Sequence, residues 1–326
     1  AVRMQTPAMV VTDPQRPRQP VPAQDGADYL RSIPGFASVR KGGTGADPVF
    51  RGMAASRVAV LVDGEQTLGG CGMRMDPPTA YVYPEAYDRI VVVKGPQTVL
   101  YGPGNSAATV LFERTRPSFD SPGLRADGSA LAAAFGRYDV VGDATLGAPA
   151  GSARLTATHA RQDDYDDGDG RAVHSAYSRW STNAALAWTP NADASVELTG
   201  AFSDGEAAYA DRAMDGAKFE RRNVGLRASL AGGDGWLRNL ELRAYHNYVD
   251  HVMDNYSLRG FTATPMMPGQ SASNPDRRTD GVRLAADLVR GTLQATVGVD
   301  AQENRHRLRG TMNETTMPYE AMARVE

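Results

Sequence analysis

LELRAYHNYVDHVM, residues 240–253, alternates in character along most of its length. Its even positions include Leu240, Leu242, Ala244, Tyr248 and Val252. Its odd positions include Glu241, Arg243, Asn247, His251 and Met253. Residues two apart share a face of a strand, so the stretch reads as a strand with one apolar and one polar side. Tyr245 and Val249 interrupt the polar side, and His246 and Asp250 the apolar one. Asp250 is therefore expected beyond the apolar zone, toward the strand's end. The chain enters from the short turn AGGDG (231–235) and leaves into a long polar stretch, 253–280.

Working outward, the same kind of segment recurs. Strands are expected near 128–136, 139–147, 152–162, 177–188, 194–204, 221–231, 236–252, 281–290 and 292–305. Their connections alternate in length. APAG (148–151), PNAD (190–193), AGGDG (231–235) and RG (290–291) are short; 163–176, 205–220, 253–280 and the stretch from 306 onward are long and polar. One early connection, near 137–138, breaks the rule. Tight turns at one end and long loops at the other are the pattern of an outer-membrane β-barrel, with periplasmic turns and extracellular loops. A soluble β-domain has no reason for that asymmetry. The polar face of 240–253 then lines the lumen, and His251 and Met253 point inward together near the extracellular end.

Composition agrees. No run of 18 apolar residues occurs, so no transmembrane helix is expected, and a barrel needs none. A net charge of −3 over 326 residues leaves no dominant basic patch and argues against nucleic acid as a partner. A single cysteine, Cys71, excludes an internal disulfide. AVRMQTPAMVV lacks the features of a signal peptide, which fits a cytosolic protein or a mature or trimmed form. GPGNSAAT (102–109) lacks the phosphate-loop Lys, and DDYDDGDG (163–170) fails the calcium-loop spacing and reads as a solvated acidic loop. No Ser–His–Asp set, dinucleotide glycine pattern or zinc-protease motif is visible, so no enzyme activity is expected.

Before the barrel, residues 1–28 are Pro-rich and read as extended. Residues 29–120 mix short apolar strands, such as SRVAVLVDG (56–64) and DRIVVVKGPQTVLYG (88–102), with glycine turns: a compact α+β block. Residues 121–326 hold the barrel strands. About nine lipid-facing strands left open would expose unpaired edges in hydrocarbon, so the chain is expected to be the first part of a larger, truncated barrel.

PGFASVRKGGTGADPVFRGMAASRVAVLVDG and DRIVVVKGPQTVLYGPGNSAATVLFERTRP, together about residues 33–117, resemble the plug signatures of TonB-dependent outer-membrane receptors. The resemblance implies a plug inside a barrel of about 22 strands, in the outer membrane of a Gram-negative bacterium, energised by a TonB complex at the periplasmic side. The short TonB-binding segment is expected upstream of VVTDPQRPRQP and is not seen. Within the family, VVTDPQRPRQPVPAQDGADYL, the CxxxM at Cys71–Met75 with its following DPPTAYVYPEAYD, and the HxM at His251–Met253 resemble the copper-receptor branch (OprC/NosA type). That branch implies a metal site built of Cys71 and Met75 from the plug and His251 and Met253 from the barrel.

Ligand chemistry points the same way. Thiolate and thioether are soft donors that select Cu(I), while one imidazole suits either oxidation state of copper, so Cu(II) is also admitted. Zinc sites rarely use Met, and hard cations avoid sulfur. The bland readings stand beside this: a lone cysteine is more often a small buried hydrophobe, and a single His or Met on a strand more often packs than binds. Met73 is expected to point away from the site. Tyr81, Tyr83 and Tyr87 are expected to pack plug against barrel or line the mouth. Met266, Met267, Met312, Met317 and Met322 in the loops are candidates to hand Cu(I) inward, or ordinary loop contacts. The expected function is copper binding and import. The rivals are a siderophore or cobalamin receptor of the same fold and a copper redox or storage protein.

Overall fold

The computed structural model describes every residue except 1, 2, 7, 17, 43, 44, 97, 98, 103, 104, 234, 312–322 and 326. Met312, Met317 and Met322 thus lie outside the described residues.

The N-terminal body is built on strands β1 (Arg3–Thr6), β2 (Met9–Thr12), β3 (Phe36–Gly42), β4 (Gly45–Phe50), β5 (Val58–Val62), β6 (Glu65–Gln66), β7 (Arg89–Lys94) and β8 (Ala108–Glu113), with helix α1 (Gly26–Leu30). Six strands form one sheet in the order β1-β2-β7-β8-β5-β6, and β3–β4 is a separate hairpin. Among the described residues only β5 and β8 run parallel. VAVLV in β5 is buried at every position, as a central strand covered on both faces requires. Its core holds Leu30, Ile33, Phe50, Ile90, Val92, Val110 and Phe112. Residues ahead of 29 take part, since Met9–Thr12 pairs with Val93–Ile90.

The second body is one antiparallel sheet of long strands. These are β9 (Gly123–Ala133), β10 (Arg137–Ala148), β11 (Gly151–Gln162), β14 (Tyr177–Trp188), β15 (Ala194–Ala207), β16 (Asp215–Ala231), β17 (Leu237–Asp254), β18 (Ala272–Arg290) and β19 (Leu293–Thr311). A short β20 (Ala323–Val325) pairs with the end of β19, while β12 (Tyr165–Asp166) and β13 (Ala172–Val173) form a small ladder within a loop. Order follows the sequence, β9 to β20, and the sheet does not close among the described residues.

The nine expected strands are all present, but their ends differ. β16, β18 and β19 run six to nine residues further toward the loop end than the alternation predicts. Up there the outer face is a ladder of charges rather than an apolar row: Lys218 holds Glu220 at 3.0 Å and Asp250 at 2.8 Å, and Arg309 holds Asp250 at 3.0 Å and Asp276 at 3.1 Å. Backbone pairing continues where the hydrophobic pattern stops, so periodicity underestimates the strands. β9 lies earlier than expected because its Gly, Ala and Ser give little contrast between faces. The early short connection is Ala134–Gly136, where Phe135 (φ 59°) and Gly136 (φ 62°) both adopt the left-handed conformation of a tight hairpin.

The outer face carries apolar rows that cross the strands. Leu198 pairs with Leu226, Leu242 with Leu284, and Leu284 with Val299. Leu124, Leu146, Leu186 and Val299 are each more than half exposed. This is the face a barrel turns to lipid, and among the described residues no helix is long and apolar enough to cross a membrane.

The odd face of β17 meets the N-terminal body. Arg243 Nη1 donates to the Asp63 carbonyl at 2.7 Å. One strand over, Asn223 Nδ2 donates to Glu65 Oε2 at 2.7 Å. Glycines make that contact possible. A Cβ on Gly64 (φ +80°) would overlap the Arg243 guanidinium, and one on Gly225 would overlap the Glu65 carboxylate. Tyr245, out of pattern as an inward aromatic, fits because Gly281 faces it. Burial pushes the Glu65 carboxyl up to about 7, against the Asn223 hydrogen bond and the nearby Arg221 charge.

Candidate metal site

Cys71 sits at the first position of a tight turn. The Arg74 N–H donates to the Cys71 carbonyl at 2.9 Å, and Arg74 takes a left-handed φ of 56°. That reversal brings Met75 back beside Cys71. Two clamps hold the turn. Asp76, fully buried, accepts from the N–H of Gly70 at 2.6 Å, from the N–H of Cys71 at 2.8 Å and from the Tyr81 hydroxyl at 2.7 Å. Arg74 grips Asp47 of β4 with two bonds, 2.6 and 2.7 Å, a bidentate geometry that fixes direction as well as distance. A third contact comes from the barrel: His306 Nε2 lies 2.6 Å from the Gly70 carbonyl.

Cys71 is half-buried and Met75 buried. Both belong to one apolar cluster with Tyr83, Tyr177 and Tyr209, against which Met253 and Phe219 also pack. Three of the four expected ligand residues therefore share a cluster, although they stand up to 182 positions apart in sequence. The fourth adjoins it. The His251 ring packs at a 48° tilt against Phe219 with centroids 4.5 Å apart, and Phe219 is its cross-strand partner. A bulge between Gly216 and Lys218 adds one residue to β16 and sets Gly216 opposite Met253.

His251 is fully buried. Its Nδ1 lies 2.8 Å from the Lys218 carbonyl. A carbonyl only accepts, so Nδ1 carries a proton, and in the neutral ring Nε2 is then a bare lone pair. Among the described residues nothing hydrogen-bonds that Nε2. An unpaired buried acceptor of this kind costs about 1–3 kcal/mol. A ring anchored through one nitrogen with the other free is the arrangement of a metal-binding histidine.

Burial holds the Cys71 thiol above its ordinary range, while the backbone N–H groups of Met75, Met73 and Arg74 work in the opposite direction and the charge of Asp76 adds to the rise. Burial thus favours the neutral thiol, and a metal bound there would have to displace its proton. Among the described residues no group of three His, Cys, Asp or Glu could hold a metal ion. A metal site here would have to draw on thioethers as well, and the donors at hand are two Met sulfurs, one Cys sulfur and one imidazole nitrogen.

Met73 is 82% exposed and outside the cluster. Tyr87 packs in the core of the N-terminal body rather than at the mouth. Met266 is 93% exposed, and Met267 sulfur lies 3.8 Å from Asn255 Nδ2. Two carboxylates of the acidic loop serve its own backbone: Asp164 accepts from the N–H groups of Ser175 and Ala176, and Asp167 from those of Asp169 and Arg171. Asp76, Tyr209, Phe219 and His306 were not singled out by sequence. Asp76 had a signal, as the one carboxylate adjoining the Cys–Met turn; the others are isolated residues whose partners are remote in sequence.

Residues 2–109 match the family model described as the TonB-dependent receptor plug domain. The solved structure of the copper transporter OprC is 50% identical over 95% of this chain, with a TM-score of 0.91. This chain spans about half of that one, 48%. A double mutant of the Serratia marcescens hemophore receptor HasR superposes with a TM-score of 0.72 at 18% identity, covering 96% of this chain and 46% of that one, which speaks to the fold alone. A hemin receptor of Yersinia pestis is 34% identical over 92 residues, 28% of this chain and 13% of that protein. Residues 2–109 thus match a TonB-dependent receptor plug, and the antiparallel sheet that follows resembles the corresponding barrel wall of the copper transporter OprC.

Proposed function

We propose that this receptor binds copper through Cys71 and Met75 of the plug and His251 and Met253 of the barrel, and passes it across the outer membrane. The observation that carries the reading is the buried, unpartnered Nε2 of His251 beside a cluster of three sulfur residues. Soft donors with one imidazole favour Cu(I) and admit Cu(II). The 50% identity to a protein named a copper transporter supports the same cargo. The hemin-receptor likeness covers 28% of the chain and is too local to decide it.

The proposed division is a plug over 29–120, to whose sheet β1 and β2 of the segment 1–28 add two strands, and barrel wall over 121–326. Because the ligands come from both plug and wall, bound copper ties one to the other. Release then requires the plug to move, and a TonB complex pulling from the periplasmic side supplies that work. The apolar outer rows face lipid.

The test is copper content and X-ray absorption of the purified full chain, wild type beside Cys71→Ser. About one copper per chain with sulfur scattering, lost in the variant, is expected. Equal copper in both proteins, or none in either, overturns the reading and returns the cargo question to siderophores.

A further inference from the structure

The site holds a second buried polar atom without a partner. Tyr209 is 1% exposed, belongs to the cluster of Cys71 and Met75, and its hydroxyl has no hydrogen-bond partner among the described residues. The ring is seated deliberately. A Cβ on Gly42 (φ +107°) of the plug would overlap its edge. A Cβ on Gly216, opposite Met253, would stand 3.0 Å from the hydroxyl oxygen and overlap the Phe219 ring. Plug and wall each give up a side chain at the place where this phenol enters.

The backbone of Tyr209 is pinned as well. Its N–H donates to Asp215 Oδ1 at 2.8 Å, and its carbonyl accepts from Arg259 Nη2 at 2.9 Å. Arg259 also bonds Asp215, and His174 Nε2 lies 3.0 Å from the other Asp215 oxygen. His174, Tyr209 and Arg259 come from three different loop-end connections that meet on one carboxylate. So many restraints on a residue whose only polar side-chain atom lacks a partner point to a partner that arrives later.

We infer that the Tyr209 hydroxyl is a positioning group of the copper site, donating a hydrogen bond to the Cys71 sulfur once that sulfur holds the metal. The inference rests on the copper reading above. A neutral thiol accepts hydrogen bonds weakly, whereas a metal-bound thiolate is anionic and accepts well. The other acceptors are poorer or already engaged. Thioethers are weak acceptors, the His251 lone pair goes to the metal, and the Asp76 carboxylate already serves Gly70, Cys71 and Tyr81. The bond tightens the loaded state alone and lowers the electron donation of the sulfur, a lever known to tune copper–thiolate sites.

The experiment compares full-chain wild type, Tyr209→Phe and Tyr209→Ala. Cu(I) affinity is read by competition with bicinchoninate, and infrared difference spectra are taken between copper-loaded and copper-free protein. Phenylalanine keeps the ring and loses only the hydroxyl. Binding about tenfold weaker in Tyr209→Phe is expected, the scale of one hydrogen bond to a charged acceptor. A tyrosine C–O difference band present in wild type should vanish with it. Wild-type affinity in Tyr209→Phe with a loss only in Tyr209→Ala would mean packing alone and overturns the inference while the copper reading stands. A wild type that binds no copper overturns the copper reading itself.

Discussion

His251 and Phe219 face each other across β16 and β17, the imidazole packed against the phenyl ring with centroids 4.5 Å apart and tilted by 48°. The contact fixes the plane of the imidazole, and the Lys218 carbonyl fixes which nitrogen is protonated. Together they aim Nε2 without any contact to the atom that would coordinate. We therefore expect His251→Ala to lower copper affinity by roughly a hundredfold or more, beyond the 10–100-fold typical of outer-shell partners. Phe219→Leu should cost less, about tenfold, because only the aim is lost. Nitrogen scattering in the X-ray absorption of loaded protein checks the first, being absent in His251→Ala and retained in Phe219→Leu.

Asp76 is the residue on which the Cys71 turn depends. Three donors converge on its carboxylate, two of them backbone N–H groups. Asp76→Ala leaves the buried Gly70 N–H and Tyr81 hydroxyl unpaired, at about 1–3 kcal/mol each, and frees the half-buried Cys71 N–H. Asp76→Asn keeps one acceptor oxygen and places an N–H₂ against the others. Alanine should lower plug stability by several kcal/mol and copper affinity by more than tenfold; asparagine should fall between. Chemical unfolding and copper titration of the two variants measure both effects. Unchanged copper affinity in a folded Asp76→Ala protein would show that the turn presents its sulfurs without the clamp.

The alternation in 240–253 was enough to place His251 and Met253 on one inward face, because the lumen of this strand is polar over most of its length. The same logic found nine strands and the unequal connections between them. It missed strand ends where the outer face turns polar, as at Lys218, Asp276 and Arg309, since pairing there is flanked by charges rather than by apolar contrast. The Cys71 turn was visible as a motif, but not its clamp. A carboxylate that bonds backbone N–H groups five and six residues earlier leaves no periodic trace. Tyr209 was invisible for a stronger reason: its seat is made by Gly42 and Gly216, glycines that no spacing rule connects to it.

The plug's Asp63–Gly64–Glu65 turn presses on the barrel wall with no spare room. Gly64→Ala would put a methyl group into the Arg243 guanidinium at a φ of +80°, a conformation that alanine also disfavours. The substitution should break the Arg243–Asp63 contact and loosen plug from wall, at a cost of about 1–3 kcal/mol. Faster limited proteolysis within the plug, with the barrel strands still protected, is the expected readout. Equal cleavage rates for Gly64→Ala and wild type would mean that this turn does not hold the plug.

Glu65 gives that contact a pH dependence of a particular sign. Its carboxyl is pushed up to about 7 by burial, from an ordinary value of 4.5. The folded chain therefore keeps the proton to higher pH than the unfolded chain does. Stability from this group is fully present below about 4.5 and is lost as pH rises toward 7, the reverse of a carboxylate held ionised by a salt bridge. At 1.36 kcal/mol per pKa unit the swing is up to about 3 kcal/mol. Asp25, buried at the start of α1 and also pushed up to about 7, mainly by burial, contributes with the same sign. Glu65→Gln keeps an acceptor for Asn223 and carries no charge at any pH. It should raise the melting temperature at pH 7.5 and leave it nearly unchanged at pH 4.5, so that the difference between the two pH values shrinks relative to wild type. The remaining slope should fall again in Glu65→Gln with Asp25→Asn. A Glu65→Gln protein with the wild-type slope would mean that Glu65 is ionised against the wall at neutral pH, with Arg221 and Arg243 as its counter-charges.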